Sequence, residues 1–471
     1  MSVQAGEKPG WARQFAYLLA ARWLRDGIQA VFLLLLARRS VETYGHVMLA
    51  IGLGQILLFC SEFGINQHFL LKLADRTPPS ALFRQVTLLK LALFAACSVA
   101  LAGFCLWQGY PPELFATAMV IGLCFGLDAM VNSYYVVCQS LGRQDVEARL
   151  RGAAAALGYG AGIAALLAGA GQLAALLFKP LETLAALAGG ARMMARSWRS
   201  STRPIFSGLR SAWQGALPFT LMALAAILYN KLNMFFLQSH GGAQAVAQYS
   251  ATWQLVDGIA VLASSVLLGN VLFPVFAKLW IRDQESFARV AREHAARLAA
   301  AALPVTLVLA LESGRIIGLL YGPQYGEAAR VQPLLSLCIP ISFVHNLAYY
   351  LLLSMGRQRL VLWIFAGGLA VNAGLCALLT PAMPLDGAVW AMVATKALVA
   401  LCTVGLCQRM LGLFTAREAL ATCGATAAAL VIAWAGNAAG LALAGEALAL
   451  GLLLLNLWRA IRGNRAQAAP C

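Results

Sequence analysis

Charge is scarce in this chain. Asp, Glu, Lys and Arg make up 11% of its 471 residues, against roughly 25% in ordinary soluble domains. With 61% hydrophobic residues and a mean hydropathy of +0.74, that scarcity excludes a soluble globular domain. The signatures of the common enzyme classes are missing too. No Gly-Lys-Ser/Thr phosphate loop is present, so the chain carries no nucleotide-hydrolysing engine of its own, and neither HExxH nor GxSxG occurs. No hydrophilic stretch is long enough to hold a catalytic core, so the protein is not expected to be an enzyme. The eleven cysteines show no CxxC or Cys/His metal spacing. Nearly all lie in apolar runs, where a thiol packs as a small hydrophobe, so neither metal nor other cofactor is expected. Residues 1–10 are short and polar, and no small-residue cleavage site follows the first apolar run, so that run is expected to stay as a membrane anchor.

What is present is a succession of apolar runs long enough to cross roughly 30 Å of hydrocarbon. The expectation is an all-α polytopic membrane protein of about 14 spans, with 12 as the fallback. The spans centre near residues 25, 56, 95, 126, 160, 182, 226, 261, 308, 343, 369, 398, 427 and 449. Basic residues set the orientation. With the N-terminus inside, the outer loops hold only Arg38, Arg39, Arg315 and Arg330, while most Lys and Arg gather on the inner side. A net charge of +16 is therefore mostly topology and gives no reason to expect a nucleic-acid partner; both termini should be cytoplasmic. The inner loop at 196–214, rich in Arg and Ser, falls near the midpoint. It reads as a linker between an N-terminal half (1–195) and a C-terminal half (215–412), with a helix pair and tail at 413–471. In the inner loop at 278–297, Phe287, Val290, Ala291 and His294 sit at helical spacing, which suits a short helix on the membrane surface.

Several spans carry polar stripes that hydrocarbon does not tolerate. At 100° per residue, Arg22, Arg25, Asp26 and Gln29 share one face of the first span. Two arginines against one aspartate leave an excess of positive charge, which implies an anionic ligand or a wet cavity. Gln55, Glu62 and Asn66 align in the second span, and Asp128, Asn132, Tyr135 and Gln139 in the fourth. Thr220, Lys231 and Gln238 align in the seventh, with Asn230 and Asn233 on an adjoining face; Ser250, Gln254 and Asp257 align in the eighth, and Ser342, His345 and Tyr349 in the tenth. Any one stripe is explained by an interhelical hydrogen bond. The whole set is explained by a shared aqueous cavity. Lys179 and Glu182, three residues apart, can neutralise each other and read as structural.

Three segments carry a resemblance. The elbow ending in Tyr44-Gly45 is followed by an apolar helix and the Phe63-Gly64 step. Leu217-Pro218 is followed by Tyr229-Asn230, Tyr249-Ser250 and Pro274, and Tyr321-Gly322 with Tyr325 by Gly356-Arg357-Gln358. Together they resemble the Wzx-type polysaccharide flippases of the multidrug/oligosaccharidyl-lipid/polysaccharide (MOP) superfamily. The resemblance implies two six-helix lobes around a cavity that opens alternately to either side. It implies a substrate of undecaprenyl-diphosphate-linked oligosaccharide, carried from the cytoplasmic to the periplasmic leaflet of a bacterial inner membrane. A polysaccharide polymerase or glycosyltransferases would be partners. On that pattern Arg22, Arg25 and Lys231 bind the diphosphate, as guanidinium groups do through planar paired hydrogen bonds. Gln29, Gln55, Asn66, Asn230 and Gln254 contact sugar or water, and Asp26, Glu62, Asp128 and Asp257 are candidates for ion coupling. Asn233 stands where members often place an acidic residue, which weighs against coupling through that helix. Two alternatives differ in their expectations. A cation-coupled multidrug exporter of the same superfamily calls for a net acidic cavity, and a non-transporting subunit of a polysaccharide synthase calls for none.

Overall fold

The computed structural model describes residues 11–66, 79–199, 209–262, 268–269 and 271–463, and helices make up nearly all of them. Among the described residues, eleven helices are long and apolar enough to cross a membrane, twelve if the pair Pro323–Ser336 and Cys338–Ser354, bent by 41°, is one span. One of the eleven, Thr220–Leu262, has 43 residues, about twice what a crossing needs. It is broken at Gly242 (φ 65°, ψ −170°), between the seventh and eighth expected spans. The first expected span forms a helix, but its charges keep it out of the apolar set.

The chain folds as two compact units, residues 1–247 and 248–471. The first contains α1 (Trp11–Arg39), α2 (Val41–Glu62), α3 (Pro79–Trp107), α4 (Pro112–Ser140), α5 (Gln144–Leu167), α6 (Gly171–Arg199) and most of α7 (Leu209–Leu262). The α1–α2 elbow is a single residue. Ser40 is extended (φ −155°, ψ 116°), and its hydroxyl accepts a hydrogen bond from the Thr43 amide at 3.2 Å, which caps α2. One turn on, Gly45 meets the Ala243 backbone, where a Cβ would overlap the Ala243 carbonyl. Phe104 of α3 packs edge-on against Phe235 at 5.7 Å. These contacts seat the first part of α7 in the first unit. Of the expected linker at 196–214, residues 200–208 lie outside the described residues.

The second unit contains α8 (Phe273–Arg282), α9 (Gln284–Leu311), α10 (Ser313–Tyr321), α11 (Gly326–Ser336), α12 (Cys338–Ser354), α13 (Gln358–Leu379), α14 (Pro384–Leu411), α15 (Ala416–Ala438) and α16 (Ala442–Gly463). Here the expected surface helix is corrected. The amphipathic residues open α9, which runs on unbroken into the membrane span, and Phe287 and Ala291 are fully buried. Phe287 packs edge-on against Phe276 and Trp280 of α8, at 5.8 and 5.2 Å. Its periodic face serves internal packing instead of lipid. Asp283, exposed between the two helices, caps α9 by accepting from the Ser286 amide at 3.0 Å, and hydrogen bonding from Ser286 holds its carboxyl below the usual range.

Candidate functional site

Within the first unit, helix packing brings together charges that lie far apart in sequence. Gly158 of α5 lets that helix press against α6, where a Cβ would lie 2.5 Å from the Phe178 carbonyl and 2.7 Å from Glu182 Cβ. On the α1 side, Phe32 packs on Phe178 at 4.7 Å and on Tyr159 at 5.8 Å, and Gly162 leaves room for its ring. This packing carries Arg25 to α6. Its Nε donates to Glu182 Oε1 at 2.7 Å, while Lys179 Nζ donates to Glu182 Oε2 at 2.7 Å and to Asp128 Oδ2 at 2.6 Å. Thr183 donates its hydroxyl to the other Asp128 oxygen at 2.8 Å, and the Lys179 ammonium sits 4.4 Å from the centre of the Phe125 ring.

Two cations and two carboxylates thus form a largely buried set in which every oxygen of Glu182 and Asp128 accepts a hydrogen bond. At 1.5 Å per residue, Arg25 lies about 20 Å along α1 from the elbow. The excess of positive charge expected of the first span is therefore corrected: Glu182, 157 residues away in sequence, supplies the missing carboxylate. Lys179 and Glu182 do neutralise each other, but within a network that also holds Arg25 and Asp128.

Arg22 and Asp26 stand at the edge of this network. Their closest approach is 3.9 Å, with 64% and 53% of the side chains exposed, and Arg25 Nη1 reaches Asp26 at 3.5 Å. An open pair at that separation contributes little stability. Gln29 and Gln55 are half-buried.

A second cluster joins α2, α3 and α4. Asn132 donates to Glu62 Oε1 at 2.6 Å. Lys90 is fully buried and gives its three protons to Asn66 Oδ1 at 2.7 Å, the Ala129 carbonyl at 2.6 Å and Ser133 Oγ at 2.8 Å. Lys90 is the polar residue that sequence reasoning missed. It sits alone in an apolar run, and only its partners on two other helices give it meaning. Glu62 is the last residue of α2. In α7, Lys231 is half-buried, with its stem beside Gly52 of α2, and Asn230 donates to the Ala226 carbonyl one turn back at 2.7 Å.

In the second unit, Lys396 Nζ lies 5.2 Å from the centre of the Trp253 ring and donates to Ser342 Oγ at 3.4 Å. His345 Nδ1 is 2.9 Å from Thr403 Oγ1. Ser250 is buried with its hydroxyl unpartnered among the described residues. Gln254 and Asp257, on the same stripe, are half-buried.

The chain resembles several solved transporters. It covers 93% of its own length and 97% of a lipid II flippase MurJ in an inward closed conformation, at 10% identity and a TM-score of 0.72. An inward-facing multidrug resistance MATE family transporter of the MOP superfamily matches at 16% identity and a TM-score of 0.62, covering 83% of this chain and 94% of that one. A MOP superfamily transporter from Pyrococcus furiosus, whose binding pocket is described as of reversed polarity, matches at 15% identity and a TM-score of 0.54, covering 85% and 94%. At these identities the likeness establishes the fold. No curated protein matches the chain. The sequence model of the polysaccharide biosynthesis proteins matches residues 35–330. The chain therefore belongs to the polysaccharide biosynthesis protein family and has the fold of the MOP superfamily transporters.

Proposed function

We propose that this protein is a flippase. It carries undecaprenyl-diphosphate-linked oligosaccharide from the cytoplasmic to the periplasmic leaflet of a bacterial inner membrane, by alternating access, for surface polysaccharide synthesis. The observation that carries the reading is Arg22. Its guanidinium is largely exposed on a helix of membrane-spanning length, and its nearest carboxylate is 3.9 Å away. A permanently charged fork at such a site is suited to a diphosphate. Arg25, held by Glu182, sets the direction of that face and leaves its outer nitrogens toward Asp26. Lys231 supplies a second cation from α7, and Gln29, Gln55, Asn66, Asn230 and Gln254 supply hydrogen bonds to sugar or water. Asp26 and Asp257 are the coupling carboxylates this reading favours, because Asp128 is saturated by Lys179 and Thr183 and Glu62 is held by Asn132.

Arg22→Ala tests the reading with little risk to folding, since the side chain is exposed. Loss of a charge-assisted contact of about 1.5–3 kcal/mol should lower surface polysaccharide about tenfold or more while the protein stays in the membrane. Unchanged polymer from Arg22→Ala, and again from Arg22→Ala with Arg25→Ala, would refute the assignment.

A further inference from the structure

The second unit contains a cavity that the transport reading does not use. α15 and α16 form a hairpin whose backbones touch at Gly436 and Gly445, where a Cβ on Gly436 would lie 2.6 Å from Gly445 Cα. Ala429, Ala433, Ala449 and Leu453 then close on Leu307 of α9. Toward the other end, beyond Ala429 and Leu453, the small side chains leave a cleft of about 640 Å³ between α9, α15 and α16. Ala421, Ala425, Ala428 and Leu452 give it an apolar lining, and Arg417 and Arg459 line it as well.

The charges in that lining are unbalanced. Among the described residues neither arginine takes part in an ion pair, and both are exposed. The one carboxylate in the lining, Glu418, caps α15 through Oε2, accepting from the Thr415 amide at 3.0 Å and its hydroxyl at 2.8 Å, which leaves two arginines against one carboxylate. Asn456, which also lines the cleft, has a buried amide nitrogen with no hydrogen-bond partner among the described residues. A buried donor left unpaired is costly, so its neighbour in the native membrane should be an acceptor. Two cations, an apolar lining and one unpaired donor call for a ligand with an anionic head and a hydrocarbon tail. Basic pockets between membrane helices at the cytoplasmic surface take such headgroups, and positive-inside topology puts both helix ends on that surface.

We propose that this cleft is a resident site for an anionic glycerophospholipid. The phosphodiester pairs with Arg417 and Arg459, a glycerol or ester oxygen accepts from Asn456, and one acyl chain lies along the alanine lining. The lipid ties α15 and α16 to α9.

Native mass spectrometry of the full-length protein in detergent, titrated with phosphatidylglycerol or with phosphatidylcholine, tests the site. Phosphatidylglycerol should be retained and should raise Tm, and phosphatidylcholine should do neither. Arg417→Gln with Arg459→Gln should weaken retention about 30-fold, at roughly 1 kcal/mol per basic side chain near a lipid phosphate. Ala428→Trp, which fills the cleft and leaves both arginines in place, should abolish it. Equal retention of the two lipids, unchanged retention in the double variant, or a polyprenyl diphosphate as the molecule that co-purifies in the cleft would overturn the proposal. None of these readouts depends on transport, so a failure of the flippase assignment would leave the site standing.

Discussion

Glu182→Ala should be the most damaging single change in the first unit. It removes the carboxylate that accepts from both Arg25 at 2.7 Å and Lys179 at 2.7 Å. Lys179 would keep only Asp128, and Arg25 would be left with the exposed Asp26 at 3.5 Å. Breaking a buried pair by removing one partner costs on the order of 3–5 kcal/mol, a large part of the 5–15 kcal/mol that holds a typical protein together. The loss should show as a large fall in Tm in detergent and in the yield of monodisperse protein. Arg25→Met should cost less, because Lys179 still donates to both Glu182 and Asp128 and the Arg25 side chain is already 25% exposed. The reverse order, with Arg25→Met the worse, would contradict the shared-carboxylate geometry.

Gly45→Ala should nearly match that loss by a different route. A methyl group at residue 45 overlaps the Ala243 carbonyl, and backbone on a packed helix cannot move aside as a flexible side chain can. α2 would be levered off α7 beside the Gly242 break, at an overpacking cost of at least about 1–3 kcal/mol. Gly27→Ala is the matched control. Nothing lies within 4 Å of a Cβ there, and alanine favours a helix interior over glycine by about 1 kcal/mol, so Gly27→Ala should leave Tm unchanged or raise it. Equal behaviour of the two variants would contradict the close approach of α2 and α7. The Tyr44-Gly45 pair that carries the family resemblance thus has a packing reason.

Helices and their order are legible in this sequence because an apolar run of membrane length leaves the chain few other ways to satisfy its backbone. The ionic network is legible only in part. A helical wheel puts Arg22, Arg25 and Asp26 on one face, but it cannot say which of the other helices faces Arg25. Glu182 has a partner three residues away, and that local explanation concealed the longer-range one. Lys90 escaped for the opposite reason: it belongs to no stripe, and its partners are a carbonyl, a hydroxyl and an amide. The surface helix expected around Phe287 failed because periodicity reports that one face is apolar, and not whether protein or lipid covers it.

Balance in the network also changes the comparison of functions. An excess of Arg and Lys argues against a cation exporter, yet Arg25 and Lys179 are matched by Asp128 and Glu182. Arg22 is offset only loosely by Asp26, so it is Arg22 and not the total charge that separates the two transporter readings.

Reconstituted vesicles containing the purified protein and a fluorescent undecaprenyl-diphosphate oligosaccharide give the most direct test. The flippase account predicts that the wild-type protein moves labelled lipid between leaflets well above the rate in empty vesicles, and that Arg22→Ala reduces this movement about tenfold or more. Folded wild-type protein that moves no lipid-linked sugar, or an Arg22→Ala variant that moves it at the full rate, would contradict the account.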